Sequence, residues 1–333
     1  MTTASLTPAA SRPPAAARAA RASVLPGSLR SVLRLHRTTL WAALALTVLA
    51  AAVTSYVRLA AEGNPGLIEP FGLSNTHDLL NVYLSRGAWA LLLVPLAVGA
   101  FTAGPLVARE LEGGLHRFAW SQGDSPARWL AARLTVGGAL AVAAGLAVIG
   151  VFELGGHDIV HAQGSLRWAD PGIYAATGPA VVAYCLLAVA VGTLAGLLVR
   201  RTLLAMSATG LVTGAALWLF SSVRWDLVPA DTVVDSGARA IEFWWPRNMP
   251  GDVHLVGQGV TNAAGERFSP GECLPDPAPG SDCPADLHAV QAYADFHPRS
   301  HFWYAQLIET GIVLALTAAA VYASFWILRR RTP

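Results

Sequence analysis

The sequence predicts an all-α integral membrane protein with about six transmembrane helices, and three observations lead to this fold class. Hydrophobic residues make up 54% of the 333 residues and charged residues only 13%. This is too little charge to cover the surface of a soluble protein of that length. The apolar residues are collected into long runs, and most of the positive charges fall between alternate runs.

Six runs are long enough to cross a bilayer, because about 20 apolar residues of helix span a hydrocarbon core ~30 Å thick. The strands of a membrane β-barrel are excluded, since they alternate apolar and polar residues. The runs cover residues 40–60, 88–108, 133–154, 174–199, 202–222 and 305–328.

The arginines predict how these spans are oriented. The chain has no lysine, so all 23 basic residues are arginine. Fifteen of them lie before the first run, between runs two and three, between runs four and five, or after the last run. Short basic segments stay in the cytoplasm, so both termini are predicted to be cytoplasmic. We expect a multi-pass protein of the plasma or inner membrane.

Four regions follow from this topology. Residues 1–26 are rich in Ala, Pro, Arg and Ser and predict a disordered cytoplasmic tail. Residues 27–222 hold spans one to five and begin with a basic stretch, either a helix on the inner membrane surface or a plain positive flank. Residues 223–304 form a long extracytoplasmic loop with room for a small subdomain. Residues 305–333 are the last span and a basic cytoplasmic end.

The cysteines fall into two groups. Cys273 and Cys283 both lie in the long outer loop, on the oxidising side of the membrane. We expect a disulfide between them, and two independent free thiols are the alternative. Cys185 lies in the fourth span and is expected to be a small apolar core residue.

The loop between the second and third runs carries the most information. Leu111, Leu115 and Phe118 recur at helical spacing and give a short helix one apolar face. Gly113 and Gly114 follow the start of this helix and allow a bend or the close approach of another backbone. The alternative interpretation is a positively charged loop with a surface helix.

This loop is similar to the segment after the second span in permease subunits of bacterial ABC exporters, in the type-2 drug and antibiotic exporter superfamily. It departs from that family at Gly114, where threonine is usual, and over residues 123–126, which are often more basic. Residues 191–206 and 296–311 also resemble the family, so the resemblance covers nearly the whole chain from residue 27. The matching loop residues are Arg109, Glu110, Glu112, Gly113, Trp120, Ser121, Gln122, Arg128 and Trp129.

The resemblance implies a transmembrane permease subunit that exports a hydrophobic or amphipathic substrate, such as a drug or antibiotic. Residues 109–132 would be the coupling loop, which contacts a separate ATPase subunit. A second permease subunit, identical or related, would complete the pathway as a homodimer or heterodimer in the lipid bilayer. The residues expected to couple to the ATPase subunit are Arg109, Glu110, Leu111, Glu112, Gly113, Gly114, Leu115, His116 and Arg117.

ATP hydrolysis is expected from the partner and not from this chain. A nucleotide-binding P-loop needs a lysine that reaches the phosphates, and this sequence has none. We therefore expect no catalytic residues and no bound cofactor in the chain, with ATP and Mg²⁺ held by the ATPase subunit. Nucleic acid is not an expected partner.

Three other interpretations stay open. The chain is a membrane sensor that binds a ligand through its outer loop, an ion-driven secondary transporter, or a metalloenzyme. Glu309 lies just inside the last span, where an ionisable residue indicates a pathway or gating role unless it faces water at the outer interface. Glu153, His157 and His161 share a helical face, but two glycines interrupt it, so no metal is expected.

Overall fold

The computed structural model describes residues 37–63, 76–114, 125–160, 166–270 and 288–331. Several predictions fall on other residues and so lie outside the described part of the chain. These are the disordered tail 1–26, the basic stretch before residue 37, the disulfide between Cys273 and Cys283, and the roles of Leu115, His116, Arg117 and His161.

Six helical segments of the described residues are long and apolar enough to cross a membrane, which confirms the predicted helical membrane class. Five of them are single helices, namely α1 (Arg37–Ala61), α5 (Pro126–Gly156), α7 (Ala180–Val199), α8 (Thr202–Val223) and α10 (His301–Arg331). The remaining segment, Leu79–Phe101, is the second span. Two short helices lie outside these spans, namely α6 (Pro171–Thr177) and α9 (Ala238–Phe243).

The second span starts earlier than predicted and is broken. It comprises α2 (Thr76–Leu91), α3 (Leu93–Val98), a π-helical turn (Gly99–Ala103) and α4 (Gly104–Glu112). The first turns of this span contain polar residues, so the apolar run in the sequence did not include them. Leu80 and Leu84 on one face of these turns are buried. Pro95 has no N–H to donate to the preceding turn, which accounts for the break after Leu91.

Helix α7 forms the centre of the bundle. Two thirds of its most apolar window is buried, against 11% in α1, and it packs against α4, α5, α8 and α10. Small residues allow this packing, as is common between membrane helices. A Cβ at Gly145 of α5 would lie 2.8 Å from the Val182 Cα of α7, so only glycine fits there. Cys185 is fully buried in α7, as predicted.

The long segment between α8 and α10 folds into a four-stranded antiparallel sheet that the sequence did not predict. Its strands are β1 (Asp231–Asp235), β2 (Val253–Asn262), β3 (Arg267–Phe268) and β4 (Ala289–Pro298), in the order β1-β4-β2-β3. Val260 and Ala292 pair across β2 and β4 and are fully buried. Because α10 starts within three residues of the end of β4, the sheet is attached directly to the last span.

The two ends of the bundle differ. At one end, which we call the arginine end, α4, the start of α5, the α7–α8 turn and the end of α10 come together. Val107, Trp129, Leu197 and Leu328 form a buried apolar cluster there. At the other end, the sheet end, the β-sheet contacts the start of α10, Trp168 just before α6 and Trp225 just after α8. Three of the arginine-containing segments of the sequence therefore lie together at the arginine end.

Candidate functional site

Glu110 fastens α4 to the start of α5 at the arginine end. Its Oε2 accepts hydrogen bonds from the indole N–H of Trp129 at 2.9 Å and from Nε of Arg133 at 3.0 Å. The Arg133 guanidinium lies 4.3 Å from the centre of the Trp129 ring and also donates to the Trp129 carbonyl. The ion-paired side chains are only 12% and 14% exposed, so water screens this pair little.

Glu112 fastens the same helix to the fifth span. Its Oε2 accepts hydrogen bonds from the backbone N–H of Thr202 at 3.1 Å and from the Thr202 hydroxyl at 2.8 Å. Thr202 is the first residue of α8, whose N-cap side chain provides no bond of its own, so Glu112 satisfies an N–H at that helix end. The Thr202 hydroxyl, the Thr202 N–H and the Arg201 charge lower the pKa of Glu112.

Gly114 ends this helical segment. Its φ of +69° lies in the left-handed region, which glycine adopts without strain and which often follows the last turn of a helix. Gly113 N–H donates to the Arg109 carbonyl at 2.9 Å. This geometry gives a physical reason for glycine at position 114, where the similar exporter permeases usually have threonine.

The predicted coupling residues that the structure describes fall into two sets. Arg109, Glu112 and Gly113 are exposed at the arginine end, whereas Glu110, Leu111 and Gly114 are partly buried. Of the partly buried set, Glu110 and Leu111 pack toward α5. Helix α4 is therefore a short element held to two spans, with exposed residues near its end.

Glu309 occupies the sheet end of the bundle and is fully buried, with none of its surface exposed. Its side chain therefore does not face water, which was the alternative to a pathway or gating role. Its Oε1 accepts a 2.6 Å hydrogen bond from the Tyr184 hydroxyl of α7. The same oxygen lies 3.5 Å from Nη2 of Arg224, which directly follows α8.

Arg224 is the functional candidate that the sequence analysis missed. It was assigned to the outer loop, but it is only 3% exposed. Its guanidinium lies 4.0 Å from the centre of the Tyr174 ring, a cation–π contact in a desolvated place. The signal in the sequence was an arginine directly at the end of an apolar run.

This buried pair is incompletely hydrogen-bonded. Nη1 of Arg224 and Oε2 of Glu309 have no hydrogen-bond partner of normal geometry among the described residues. An unsatisfied buried polar group costs about 1–3 kcal/mol, and more when it is charged. A membrane-embedded ionisable pair kept at such a cost indicates a functional role.

Gln306 completes the polar cluster one turn before Glu309. Its Nε2 donates to the Tyr174 carbonyl at 2.6 Å, and its Oε1 accepts from the Ala180 N–H. These bonds tie α10 to the junction of α6 and α7. A Cβ at Gly178 in that junction would lie 2.2 Å from the Gln306 side chain, so glycine is required there.

Histidines and tryptophans join the sheet to the spans. Trp225, the residue after Arg224, contacts both His254 of β2 and His297 of β4, with ring centres 5.0 and 5.2 Å away. His297 is 1% exposed, and its Nδ1 is 3.1 Å from Nδ1 of His301. One of these two nitrogens must carry the hydrogen and the other accept it.

Burial lowers the pKa of both His254 and His297. Arg167 also lowers the pKa of His254 and Asp170 raises it. For His297, the neighbouring His301 and His254 lower the pKa, and Asp231 and a bond to Trp225 raise it. In both cases burial has the largest effect on the pKa. The contact between the sheet and the spans therefore favours neutral imidazoles.

We therefore expect acid to loosen the sheet from the spans. The unfolded sheet binds more protons than the folded one as the pH falls below about 6.5. The contribution of the neutral histidines is fully present above that pH and is lost as the pH falls through the lower folded-state pKa values. The protection factors of the β4 amides, which correct for the slower intrinsic amide exchange in acid, should be lower at about pH 5 than at about pH 7.5. His297→Gln should reduce that difference, and equal protection factors at both pH values would contradict the expectation.

Glu153 and His157 are the described members of the trio that also includes His161, which lies outside the described residues. His157 Nδ1 lies 3.6 Å from Glu153 Oε2, and both side chains are largely exposed. Across the described ranges, no group of three or more His, Cys, Asp or Glu side chains is arranged to hold a metal ion.

Comparison with known proteins identifies the family. A family model described as ABC-2 membrane transporter related matches residues 35–224, from the start of α1 to Arg224. No curated protein and no solved structure matches the chain. The family match covers more than half of the sequence and agrees with the six membrane-spanning helices. The chain therefore belongs to the ABC-2 membrane transporter related family and is a multi-pass membrane protein of the ABC permease type.

Proposed function

We propose that this chain is the transmembrane permease subunit of an ABC exporter, driven by a separate ATPase subunit that binds at the arginine end. The observation that carries the proposal is that α4 is hydrogen-bonded to two different spans. Glu110 holds it to the third span through Trp129 and Arg133, and Glu112 holds it to the fifth span through Thr202.

This arrangement supports mechanical coupling. A partner that pushes on the end of α4 acts on a helix joined by charged hydrogen bonds to two spans, and such bonds are stronger than neutral ones. The movement is then passed to α5 and α8 as a tilt. Arg109, Glu112 and Gly113 are exposed for contact, and Leu115, His116 and Arg117 would extend the contact surface.

The substrate and the second subunit follow from the character of the spans. The faces of α1, α8 and α10 that point away from α7 carry exposed large apolar residues such as Trp41, Leu211 and Leu316. Lipid or another permease covers such faces in a membrane. We propose that two such subunits, identical or related, enclose a pathway for a hydrophobic or amphipathic substrate, exported from the cytoplasm, with Glu309 near its outer end.

Purification from the native membrane tests the proposal. The tagged chain would be extracted in mild detergent, and co-purifying proteins would be identified by mass spectrometry. A stoichiometric P-loop ATPase is the expected result. Recovery of the chain alone under several gentle conditions would contradict the exporter proposal.

A ligand-binding sensor is the second candidate, favoured by one observation. A cleft of about 390 Å³ lies between the sheet and the segment before α6, lined by Arg167, Trp168, Trp245, Arg247 and His254 among others. Deleting residues 229–298 would abolish the activity of a sensor while arginine-end variants left it intact. The exporter proposal predicts that arginine-end variants are the more damaging.

A further inference from the structure

We propose that Arg224 and Glu309 form a latch at the sheet end of the bundle, which is closed in this structure and opens to water in each transport cycle. Tyr184 is the positioning residue that holds the Glu309 carboxylate. The inference rests on the proposed function, since it describes how the exit side of the permease opens.

The latch joins three membrane helices at one atom. The Tyr184 hydroxyl of α7 and Nη2 of Arg224, at the end of α8, both approach Oε1 of Glu309 in α10. If the fifth and sixth spans separate at this end, the Arg224–Glu309 contact must therefore break. Tyr184 lies in the central helix α7 and keeps the carboxylate in place while the pair is closed.

The closed latch is dry and poorly satisfied. The two charged atoms are 3.5 Å apart, and the side chains are 3% and 0% exposed. Arg224 Nη1 and Glu309 Oε2 lack hydrogen-bond partners among the described residues, and both gain them when water enters. A pair needed only to hold helices together is replaced by apolar residues without loss in other proteins, so these charges favour an element with two states.

The latch also has a mechanical connection to the sheet. Arg224 is followed by Trp225, whose ring contacts His254 and His297 of the two central strands. Strand β4 leads directly into α10, which carries Glu309. A movement of the sheet therefore reaches both sides of the ion pair.

Cysteine labelling measures the opening without knowledge of the substrate. Thr310, next to Glu309, has a buried hydroxyl and would be changed to cysteine in a chain whose Cys185, Cys273 and Cys283 are replaced. The purified complex with its ATPase subunit would be labelled with a membrane-impermeant maleimide, at rest and after trapping with ATP and vanadate. Trapping should speed labelling about fivefold or more, because the rate follows the open population.

Two variants of the latch and two control variants make the result specific to the latch. Arg224→Met with Glu309→Leu keeps the helices packed without charges and should abolish the increase. Tyr184→Phe should speed labelling at rest, whereas Tyr83→Phe, which removes a similar interhelical bond to Thr54, should leave it unchanged. Ile312→Cys, on the exposed face of α10, should label equally in both states.

Equal labelling of Thr310→Cys at rest and after trapping would overturn the latch, as would an undiminished increase in the apolar double variant. These results are read only in complexes that contain the ATPase subunit and hydrolyse ATP. A chain that recruits no ATPase contradicts the proposed function instead, so the two failures are distinguishable.

Discussion

Changing Glu110 to arginine is expected to reduce recovery of the ATPase subunit with this chain by about tenfold or more. The change removes the acceptor for Trp129 and Arg133 and places a second positive charge beside Arg133. Hydrogen bonds to charged groups contribute about 1.5–3 kcal/mol each to the position of α4, and apparent affinity falls with the fraction of molecules in which the helix keeps that position. Co-purification with quantitative mass spectrometry measures the effect, and ATP-dependent activity of the complex should fall with it.

Two controls separate this effect from a general loss of folding. Glu62→Arg removes the exposed partner of Arg58 in α1, and surface pairs of that kind contribute little, so ATPase recovery should be unchanged. Arg133→Glu added to Glu110→Arg restores the ion pair with the two charges exchanged. This double variant should recover part of the association with the ATPase subunit. Unchanged ATPase recovery and activity in Glu110→Arg would show that α4 is not the coupling element.

Changing Arg224 to methionine alone is expected to destabilise the protein by about 3–5 kcal/mol. The change leaves Glu309 as a fully buried carboxylate without its positive partner, and the lost interaction with the Tyr174 ring adds to the effect. Thermal unfolding of the purified protein in detergent measures the loss. Adding Glu309→Leu should recover most of the stability, because both buried charges are then absent.

The matched control for this change is Arg267→Met. Arg267 forms a 2.8 Å ion pair with Asp295, but its side chain is 50% exposed, so its removal should cost less than about 1 kcal/mol. If Arg224→Met unfolds at the same temperature as the unaltered chain, the buried pair does not exist in the folded protein, and the latch is excluded with it.

The membrane fold was predictable because its signal is local. Runs of about 20 apolar residues define the spans wherever they occur, and the arginines grouped the segments that the structure brings together. The broken second span was less predictable. Its first turns contain polar residues such as Asn81 and Arg86 among the buried leucines, so the average hydropathy did not mark the start. Pro95 carried the signal for the break.

The sheet was missed because its strands lack a regular pattern. Strand β2 contains two glycines and a register shift near Gly257, and β4 has buried residues on both faces over Ala292, Tyr293 and Ala294. Neither strand shows the alternation that predicts a half-buried strand. The paired residues of the two strands are 27 to 45 positions apart in the sequence, a separation that local patterns do not report.

Distance along the sequence also decided which parts of the candidate site were predictable. Glu110 was expected to couple to the ATPase subunit, and its partner Arg133 lies in the adjacent segment of the sequence. The partner of Glu309 lies in a different span, and the sequence placed Arg224 in an outer loop. Its burial follows from the three-dimensional packing of α6, α7 and α10 around it, so only the structure brought these residues together.

Site-specific photo-crosslinking from the end of α4 tests the central claim most directly. A photoreactive amino acid would replace Arg109 or Gly113, both exposed at the arginine end, and Arg239 of α9 at the sheet end would serve as the control position. We expect a crosslink to a P-loop ATPase from positions 109 and 113 and none from position 239. No ATPase crosslink from α4, or equal crosslinking from position 239, would show that the ATPase subunit does not bind at the arginine end.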